Sequence, residues 1–246
     1  MKFALLKCDT PPPPLLPLHG DYTQIFNNLF ENVLTHQKHL LKLNDSNIQC
    51  TSFDVINGEY PSNPEQFDLI VLTGSKFSSY QNEPWILNLK KFCKLVIEKN
   101  LSKLLGVCFG HQVIAEAFGG KVEPNLAGWE VGWTDIKLND FGISNFGKEN
   151  MKINSMHKDH VTVTPQNFEI FSYTDICPNQ GMIGYNNRVV TIQGHPEFTP
   201  EFVTALVKLR TGIIFDETFA NKVLENSSKD LDGSWFTSNA LNILFS

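Results

Sequence analysis

The chain of 246 residues has few arginines and no regular cysteine pattern. Its two arginines, Arg188 and Arg210, and its net charge of −6 argue against a protein that binds the phosphate backbone of nucleic acids. The five cysteines include no Cys-x-x-Cys pair, so the sequence indicates neither a zinc site nor a disulfide framework. No apolar run approaches the roughly 20 residues of a membrane-spanning helix, so we expect no membrane partner.

Length and composition fit an ordinary globular protein. With 41% hydrophobic and 19% charged residues, the chain can bury a full core, and 246 residues suit a single α/β domain spanning 1–246. The start of the chain, Met1 to Cys8, has too short an apolar stretch for a signal peptide. We therefore expect a cytoplasmic protein whose cysteines stay reduced.

Short β-rich runs alternate with longer amphipathic segments, which is typical of a three-layer α/β fold. This alternation predicts an open, mostly parallel sheet with helices on both faces. The predicted strands are Lys2–Leu6, Thr51–Val55, Leu69–Thr73, Leu104–Val107, Val131–Leu138, Val161–Thr164, Phe168–Tyr173 and Val189–Gln193. The predicted helices are Tyr22–Leu43, Pro84–Lys99, His111–Phe118 and Pro200–Thr211, with one or two more near the C-terminus.

Three further segments carry structural expectations. Residues 10–17 contain five prolines and predict a stiff loop after the first strand, where it would frame the mouth of a ligand pocket. Residues 142–148 mimic a phosphate-binding loop, but Glu149 stands where Ser or Thr would hold magnesium, so we expect a chance match in a loop. Residues 215–246 are too apolar for a free tail and are expected to pack against the rest of the chain.

The segment 106–112, Gly-Val-Cys-Phe-Gly-His-Gln, predicts a nucleophilic cysteine. It follows an apolar strand and opens a helix, so Cys108 stands on the turn between them, where the free N–H groups of the helix favour a thiolate. Gly106 and Gly110 suit this turn because glycine adopts strained backbone angles easily. The alternative for Cys108 is an inert buried cysteine. That role fits the other four cysteines better, namely Cys8, Cys50, Cys93 and Cys177.

The segment 193–197, Gln-Gly-His-Pro-Glu, supplies a base and a carboxylate. His195 is the candidate base and, later, the acid that protonates a leaving amine. Glu197 would orient the imidazole, since residues two apart in an extended segment point the same way. With Cys108, these residues predict the catalytic triad of a cysteine hydrolase.

The two motifs, in this order, resemble those of the class I (triad-type) glutamine amidotransferases. The resemblance runs from about residue 54 to about residue 200. Within the family, the chain most resembles the freestanding members related to the amidotransferase domain of GMP synthase. The resemblance extends also to plant γ-glutamyl peptidases, which share the Gly-His-Gln and Gln-Gly-His-Pro-Glu wording. It implies a flavodoxin-like α/β fold, a small γ-glutamyl substrate and no cofactor.

The resemblance also implies an oxyanion hole. Two N–H donors are needed, and the residue after the nucleophile, Phe109, typically supplies one of them. The second would come from Gly74 or Ser75, in the Leu-Thr-Gly-Ser segment that ends a strand. Because Ser75 stands where the family commonly has a second glycine, both residues remain candidates.

Three residues match family positions that contact the substrate. Gln112 matches the position that contacts the γ-glutamyl portion, with a helix-surface glutamine as the alternative. His157 and Asp159 match a His-x-Asp-x-Val loop that reads the α-amino and α-carboxylate groups. His157, Asp159 and His160 also have the chemistry of metal ligands, but no fourth ligand is apparent, so we predict no metal. His111 is expected to be a surface residue.

The leaving group separates the candidate functions. Cys108 would attack the δ-carbonyl of a γ-glutamyl amide, and water would release glutamate from the thioester. If ammonia leaves, the substrate is glutamine and a separate synthetase partner is required, since the chain has no Ser-Gly-Gly-x-Asp-Ser loop for ATP. If an amino acid or dipeptide leaves, the protein is a γ-glutamyl hydrolase of glutathione-type substrates. A non-catalytic regulatory domain is the third alternative, which the complete triad disfavours.

Overall fold

The computed structural model of the chain describes residues 1–37, 39, 48–227 and 229–246. The strands, in chain order, are β1 (Lys2–Lys7), β2 (Gln49–Asp54), β3 (Leu69–Leu72), β4 (Lys103–Val107), β5 (Lys121–Pro124), β6 (Glu130–Leu138), β7 (Asn150–His157), β8 (Asp159–Val163), β9 (Phe168–Tyr173), β10 (Gly181–Gly184) and β11 (Val189–Ile192). The α-helices are α1 (Leu16–His19), α2 (Tyr22–His36), α3 (Pro84–Glu98), α4 (Phe109–Ala117), α5 (Asp140–Phe146), α6 (Pro200–Arg210), α7 (Glu217–Leu224) and α8 (Gly233–Leu244). No helix among these residues has the length and apolar character needed to cross a membrane.

The main sheet of the described residues has nine strands in the order β2-β1-β3-β4-β11-β10-β9-β6-β7. The strands from β2 to β11 in this order pair in parallel, and the remaining four join by antiparallel pairing. All of them except β6 and β10 therefore point in one direction, which confirms the mostly parallel sheet. The antiparallel extension was not predicted. Strands β5 and β8 form a separate two-stranded sheet.

Helices cover both faces of the sheet, as the alternation of strands and helices predicts. Successive strand residues point to opposite faces, so in β1 Phe3 and Leu5 pack with α2, α6 and α8. Ala4 and Leu6 pack with α3 and α4 on the other face. The C-terminal helix α8 buries Phe236 in the first of these cores, which confirms that the apolar C-terminal segment is packed.

Helix α2 begins where the sequence predicts because Asp21 caps it. The Asp21 side chain accepts a hydrogen bond from the Gln24 N–H (3.1 Å), and the Gln24 side chain accepts one from the Asp21 N–H (2.7 Å). The helix ends at His36. Its predicted continuation through residues 40–43 lies outside the described residues.

The sequence prediction missed three strands and two helices, namely β5, β7, β10, α1 and α5. In β10 the signal is weakened by glycines at both ends, yet each is needed for packing against β9. A Cβ at Gly181 would lie 2.3 Å from the Phe171 ring, and one at Gly184 would lie 2.4 Å from the Phe168 ring. Glycine at these two positions lets β10 contact the rings of β9 closely, although glycine lowers the propensity of the segment to form a strand.

Two segments predicted as loops are partly helical. Residues 142–148 overlap α5. The Asn139 side chain caps the first turn of this helix by accepting a hydrogen bond from the Gly142 N–H (2.9 Å). Gly147, with a φ of 75°, is the C-cap that follows its last residue. The prediction of a loop there was wrong, because the capping pattern of this short helix was overlooked. The proline-rich segment 10–17 forms a 3-10 turn at Pro13–Leu15 and enters α1 at Leu16.

Candidate active site

Cys108 lies on the turn between β4 and α4, as predicted. Its backbone has a φ of 52° and a ψ of −103°, a conformation that non-glycine residues rarely adopt. Its N–H donates to the Ile192 carbonyl (2.8 Å), which ties the turn to the end of β11. Strained backbone of this kind concentrates at functional sites, and the side chain is 5% exposed.

The glycines that flank Cys108 serve close packing. A Cβ at Gly106 would lie 2.8 Å from the Gly110 carbonyl, and a Cβ at Gly110 would lie 2.7 Å from the Leu72 carbonyl oxygen. Neither glycine has a positive φ. The expectation that they carry the strain of the turn was therefore wrong: Cys108 itself is strained, and the glycines let α4 approach β3 and β4.

His195 and Glu197 form a hydrogen-bonded pair beside this turn. The His195 Nδ1 lies 2.7 Å from the Glu197 Oε1, and both side chains are buried. The imidazole stacks on the Phe198 ring, with centroids 3.9 Å apart and planes 2° from parallel. The main-chain N–H of His195 donates to the Asn154 carbonyl (2.7 Å). Strand β7, in the antiparallel extension, therefore fixes the loop that carries the imidazole.

The surroundings of His195 favour its charged form. Burial alone would lower its pKa, but the charges of Glu197 and Cys108 and the hydrogen bonds to both raise the pKa from 6.5 to about 10. The imidazolium is therefore available near neutral pH as a proton donor.

The candidates for the oxyanion hole come from two elements. Gly74 and Ser75 follow the end of β3, and Phe109 starts α4 directly after Cys108. A Cβ at Gly74 would lie 2.7 Å from the His195 Cε1 and 3.6 Å from the Cys108 Cβ, so the Gly74 main chain borders both side chains. The N–H groups of Gly74 and Ser75 have no acceptor among the described residues. Phe109 is the first residue of α4, whose leading N–H groups have no intrahelical partner.

A residue that the sequence analysis missed, Asp9, holds this loop in place. Its carboxylate accepts hydrogen bonds from the Lys76 N–H (2.8 Å), the Lys76 Nζ (3.1 Å) and the Thr10 N–H (2.8 Å). Thr73 adds a second tie, because its Oγ1 accepts from the Cys8 N–H (2.9 Å). The position of Asp9 just after a buried strand was the available signal, since ligands bind at the carboxyl ends of parallel strands.

Gln112 and Asp159 meet at the other side of Cys108. The Gln112 amide donates to the Asp159 carbonyl oxygen (3.0 Å) and to the Gln193 Oε1 (3.1 Å), and the Asp159 carboxylate accepts from the Ser78 hydroxyl (2.7 Å). At 4% exposure, Gln112 is not the helix-surface glutamine considered as its alternative. Its amide donors are occupied, which leaves its carbonyl oxygen as an acceptor.

The His157 side chain belongs to a buried polar network. Its Nε2 lies 2.9 Å from the Glu130 Oε2, and its Nδ1 lies 3.1 Å from the Asp159 carbonyl oxygen. Glu130 also accepts from Thr174 (2.7 Å) and Gln180. The segment around His157 was predicted as a loop, but it is the tight connection between β7 and β8, because pairing of β6 with β7 extends to its end.

A cluster of possible metal ligands lies in this network, and it differs from the combination of His157, Asp159 and His160 for which the sequence predicts no metal. In the described part of the chain, ligand atoms of Glu130, His157 and Cys177 lie within 4.8 Å of one another. Each already has a protein partner, and Cys177 donates its thiol hydrogen to the Asn179 carbonyl (Sγ–O 3.4 Å). The trio is therefore satisfied without an ion.

His111 is a buried structural residue. Its side chain is fully buried, and its Nδ1 lies 2.8 Å from the Thr191 Oγ1. Burial lowers its pKa to about 3, so the imidazole is neutral and remote from acid–base use near neutral pH. The expectation of a surface histidine was wrong, because α4 is covered on the side of His111 by β11.

Six of the candidate residues line one cavity of about 890 Å³. Its lining includes the proline-rich segment at positions 10–13, which confirms that this segment frames the pocket. Among the candidate site residues, the cavity is lined by Cys108, Gln112, His157, Asp159, His195 and Ser75. Cys108 and His195 thus share a pocket with the polar groups from α4 and β8.

Comparison with known proteins decides the family. The model of the family described as glutamine amidotransferase class-I matches residues 19–207. The chain belongs to the class I glutamine amidotransferase family. A glutamine amidotransferase-like protein of Schizosaccharomyces pombe is 32% identical over 248 residues, covering 98% of this chain and 97% of the relative.

Other members of the amidotransferase family differ in the activity that their names state. Gamma-glutamyl peptidase 4 of Arabidopsis thaliana is 32% identical over 180 residues, covering 70% of this chain and 71% of the relative. The crystal structure of a glutamine amidotransferase from Thermotoga maritima superposes with a TM-score of 0.73 at 17% identity, over 99% of this chain and 98% of that chain. At that identity the likeness shows the amidotransferase fold.

Proposed function

We propose that this amidotransferase-family protein hydrolyses γ-glutamyl amides through a thioester on Cys108. The observation that carries the proposal is the geometry around that residue: a cysteine at a helix N-terminus beside His195, which is itself bonded to Glu197 at 2.7 Å. A thiolate–imidazolium pair supplies both the nucleophile and the proton that an amide leaving group needs. A regulatory domain without turnover would have no use for this arrangement.

The proposed reaction has two steps. The Cys108 thiolate attacks the δ-carbonyl, the carbon–nitrogen bond breaks, and the amine leaves with a proton from His195. A water molecule, deprotonated by His195, then attacks the thioester, the carbon–sulfur bond breaks, and glutamate is released. Glu197 holds the imidazole in orientation through both steps.

Main-chain donors at the start of α4 and the end of β3 support the charged intermediate. We assign the oxyanion to the N–H of Phe109 and an N–H of Gly74 or Ser75, since these groups border the Cys108 side chain. The Gln112 carbonyl oxygen and the Asp159 carboxylate would accept from the substrate's α-amino group. His157 would act through Asp159, whose carbonyl it contacts, rather than on the substrate itself.

Glutamate release by the purified protein tests the proposal. We expect glutamate from glutamine, glutathione or both, and a loss of roughly 10⁴-fold or more in Cys108→Ala, because no other group replaces the nucleophile. Cysteinylglycine as the second product of glutathione would identify a γ-glutamyl peptidase, the activity that its Arabidopsis relatives are named for. Ammonia from glutamine alone would identify a glutaminase that serves a synthetase partner. No glutamate from either substrate would contradict the proposal.

Gly74→Ala is expected to lower kcat by about 10²-fold, because a shift of about 1 Å in a catalytic group has an effect of that size. The new Cβ would lie 2.7 Å from the His195 Cε1 and displace the imidazole. Steady-state kinetics on the preferred γ-glutamyl substrate measure the effect. Gly58→Ala is the control, since Gly58 has a φ of 81° and open space around it, so its substitution strains the backbone away from the site. Unchanged kcat in Gly74→Ala would refute the placement of His195.

A further inference from the structure

The cavity has a second wall that the proposed chemistry does not use. Gln112 and Asp159 come from α4 and β8, whose apolar neighbours belong to the core on the α3 side of the sheet. The second wall comes from α2 and α6, on the opposite face, and includes Tyr22, Phe202 and Arg210. Cys108 lines the same cavity, so a glutamyl group held on the first wall would direct its leaving group toward the second.

Arg210 is a cation without a fixed partner on this second wall. It is the last residue of α6, is half-buried and lines the cavity. Among the described residues, its guanidinium makes no ion pair and no hydrogen bond. The other arginine, Arg188, is fully used, because it donates to the Ile97 carbonyl (2.9 Å) and the Ser102 carbonyl (2.8 Å).

The acidic groups of the cavity are already engaged elsewhere. Asp9 is bound to Lys76, and Asp159 accepts from Ser78. The Arg210 pKa is lowered by burial, an effect that nearby Tyr22, Asp9 and Cys108 oppose, so these groups lie within electrostatic range of one another. A half-buried guanidinium that has no hydrogen-bonded carboxylate from the described residues suits a planar anion from a ligand.

Tyr22 offers a second donor at the same place. It is 7% exposed, lines the cavity and begins α2. Burial, with the charges of Asp9, Glu197 and Cys108, raises its pKa well above 10, while Arg210 acts in the opposite direction. The phenol therefore stays protonated and can donate a hydrogen bond to an anion that Arg210 attracts.

We propose that Arg210, assisted by the Tyr22 hydroxyl, binds a carboxylate of the leaving group. The inference rests on the proposed γ-glutamyl hydrolysis and specifies its substrate class: γ-glutamyl amino acids or short peptides, whose amine leaves with its carboxylate intact. Phe198 and Phe202 border the same wall and provide apolar contact for the side chain of that leaving group. Ammonia has no group to place there, so glutamine would leave this wall unused.

A substrate pair tests the inference: γ-glutamyl-alanine and γ-glutamyl-alanine amide, which differ in the carboxylate. We expect the wild type to prefer the acid, and Arg210→Met to reduce the ratio of kcat/KM for the acid over the amide by roughly 10- to 100-fold, mainly through KM. Arg210→Lys keeps the charge without the planar fork and is expected to lie between the two. Because each ratio is taken within one variant, a partly unfolded preparation does not distort it.

Lys208→Met is the matched control, since Lys208 is an exposed cation in the same last turn of α6 and does not line the cavity. We expect its substrate ratio to equal that of the wild type. Equal losses on both substrates in Arg210→Met, or no change in the ratio, would overturn the inference and leave the proposed hydrolysis standing. No release of glutamate from either compound by a wild type that does release it from glutamine would overturn this inference alone. No release from any of the three substrates or from glutathione would overturn both.

Discussion

Replacing Glu197 by Gln is expected to lower kcat by roughly 10³- to 10⁴-fold, the size of effect seen when the acid of a catalytic triad becomes an amide. The Glu197 carboxylate accepts the Nδ1 hydrogen of His195 at 2.7 Å and faces the ring from a buried position. An amide keeps the shape but can present a donor to that nitrogen, which disturbs the tautomer and orientation of the base. Single-turnover kinetics with the preferred substrate measure the loss in the chemical steps.

The pH profile of Glu197→Gln separates this role from a general loss of structure. In the wild type, burial opposes the charge on His195, but Glu197 and Cys108 raise its pKa to about 10. Removing the carboxylate removes one of the groups that raise the pKa, so the imidazolium loses its proton at lower pH. The alkaline limb of kcat/KM is therefore expected to move toward neutral pH by about one unit or more.

Glu201→Gln is the control for this experiment, because Glu201 is an exposed carboxylate in the first turn of α6. It is expected to retain the rate and the pH profile of the wild type. A Glu197→Gln variant that keeps both would show that the carboxylate neither orients nor charges the base, and the triad assignment would be wrong.

Gly110→Ala is expected to lower the melting temperature by roughly 2–12 °C, because overpacking costs on the order of 1–3 kcal/mol and each kcal/mol corresponds to about 2–4 °C in a chain of this size. The added methyl group would lie 2.7 Å from the Leu72 carbonyl oxygen, a main-chain atom of a buried central strand. Helix α4 must therefore move away from β3, and Cys108 moves with it. Thermal unfolding followed by circular dichroism measures the shift.

A second glycine substitution distinguishes steric overlap from backbone strain. Gly147 ends α5 with a φ of 75° and has open space around its Cα, so Gly147→Ala strains the backbone without a clash. Its expected cost is about 1 kcal/mol. If Gly110→Ala lowered the melting temperature no more than Gly147→Ala does, α4 would not be packed against β3 as closely as the structure has it.

The parts of the site that the sequence predicts are those whose geometry is local. Cys108 follows an apolar run and opens a helix, so the neighbouring residues alone predict its place on a strand–helix turn. His195 and Glu197 stand two positions apart, and their contact needs no knowledge of the rest of the fold. The alternation of strands and helices likewise predicts the layers of the sheet.

The supports of the site depend on contacts between distant residues and could not be predicted in the same way. Asp9 binds Lys76, and the Asn154 carbonyl accepts from the His195 N–H. The second pair requires the antiparallel extension of the sheet, whose β7 was not predicted. Arg210 could not be assigned to the site from the sequence either. The sequence shows that arginine is rare in this chain, but only the packing of α6 places Arg210 at the cavity.

Trapping the covalent intermediate tests directly whether Cys108 is the nucleophile. The protein would be mixed with a γ-glutamyl substrate, quenched in acid within the first turnover, digested and analysed by mass spectrometry. We expect the peptide containing Cys108 to gain the mass of one glutamyl group, hydroxylamine to remove it, and Cys108→Ala to show no such adduct on any peptide. Glutamate release without an adduct on Cys108, or undiminished release by Cys108→Ala, would show that Cys108 is not the nucleophile.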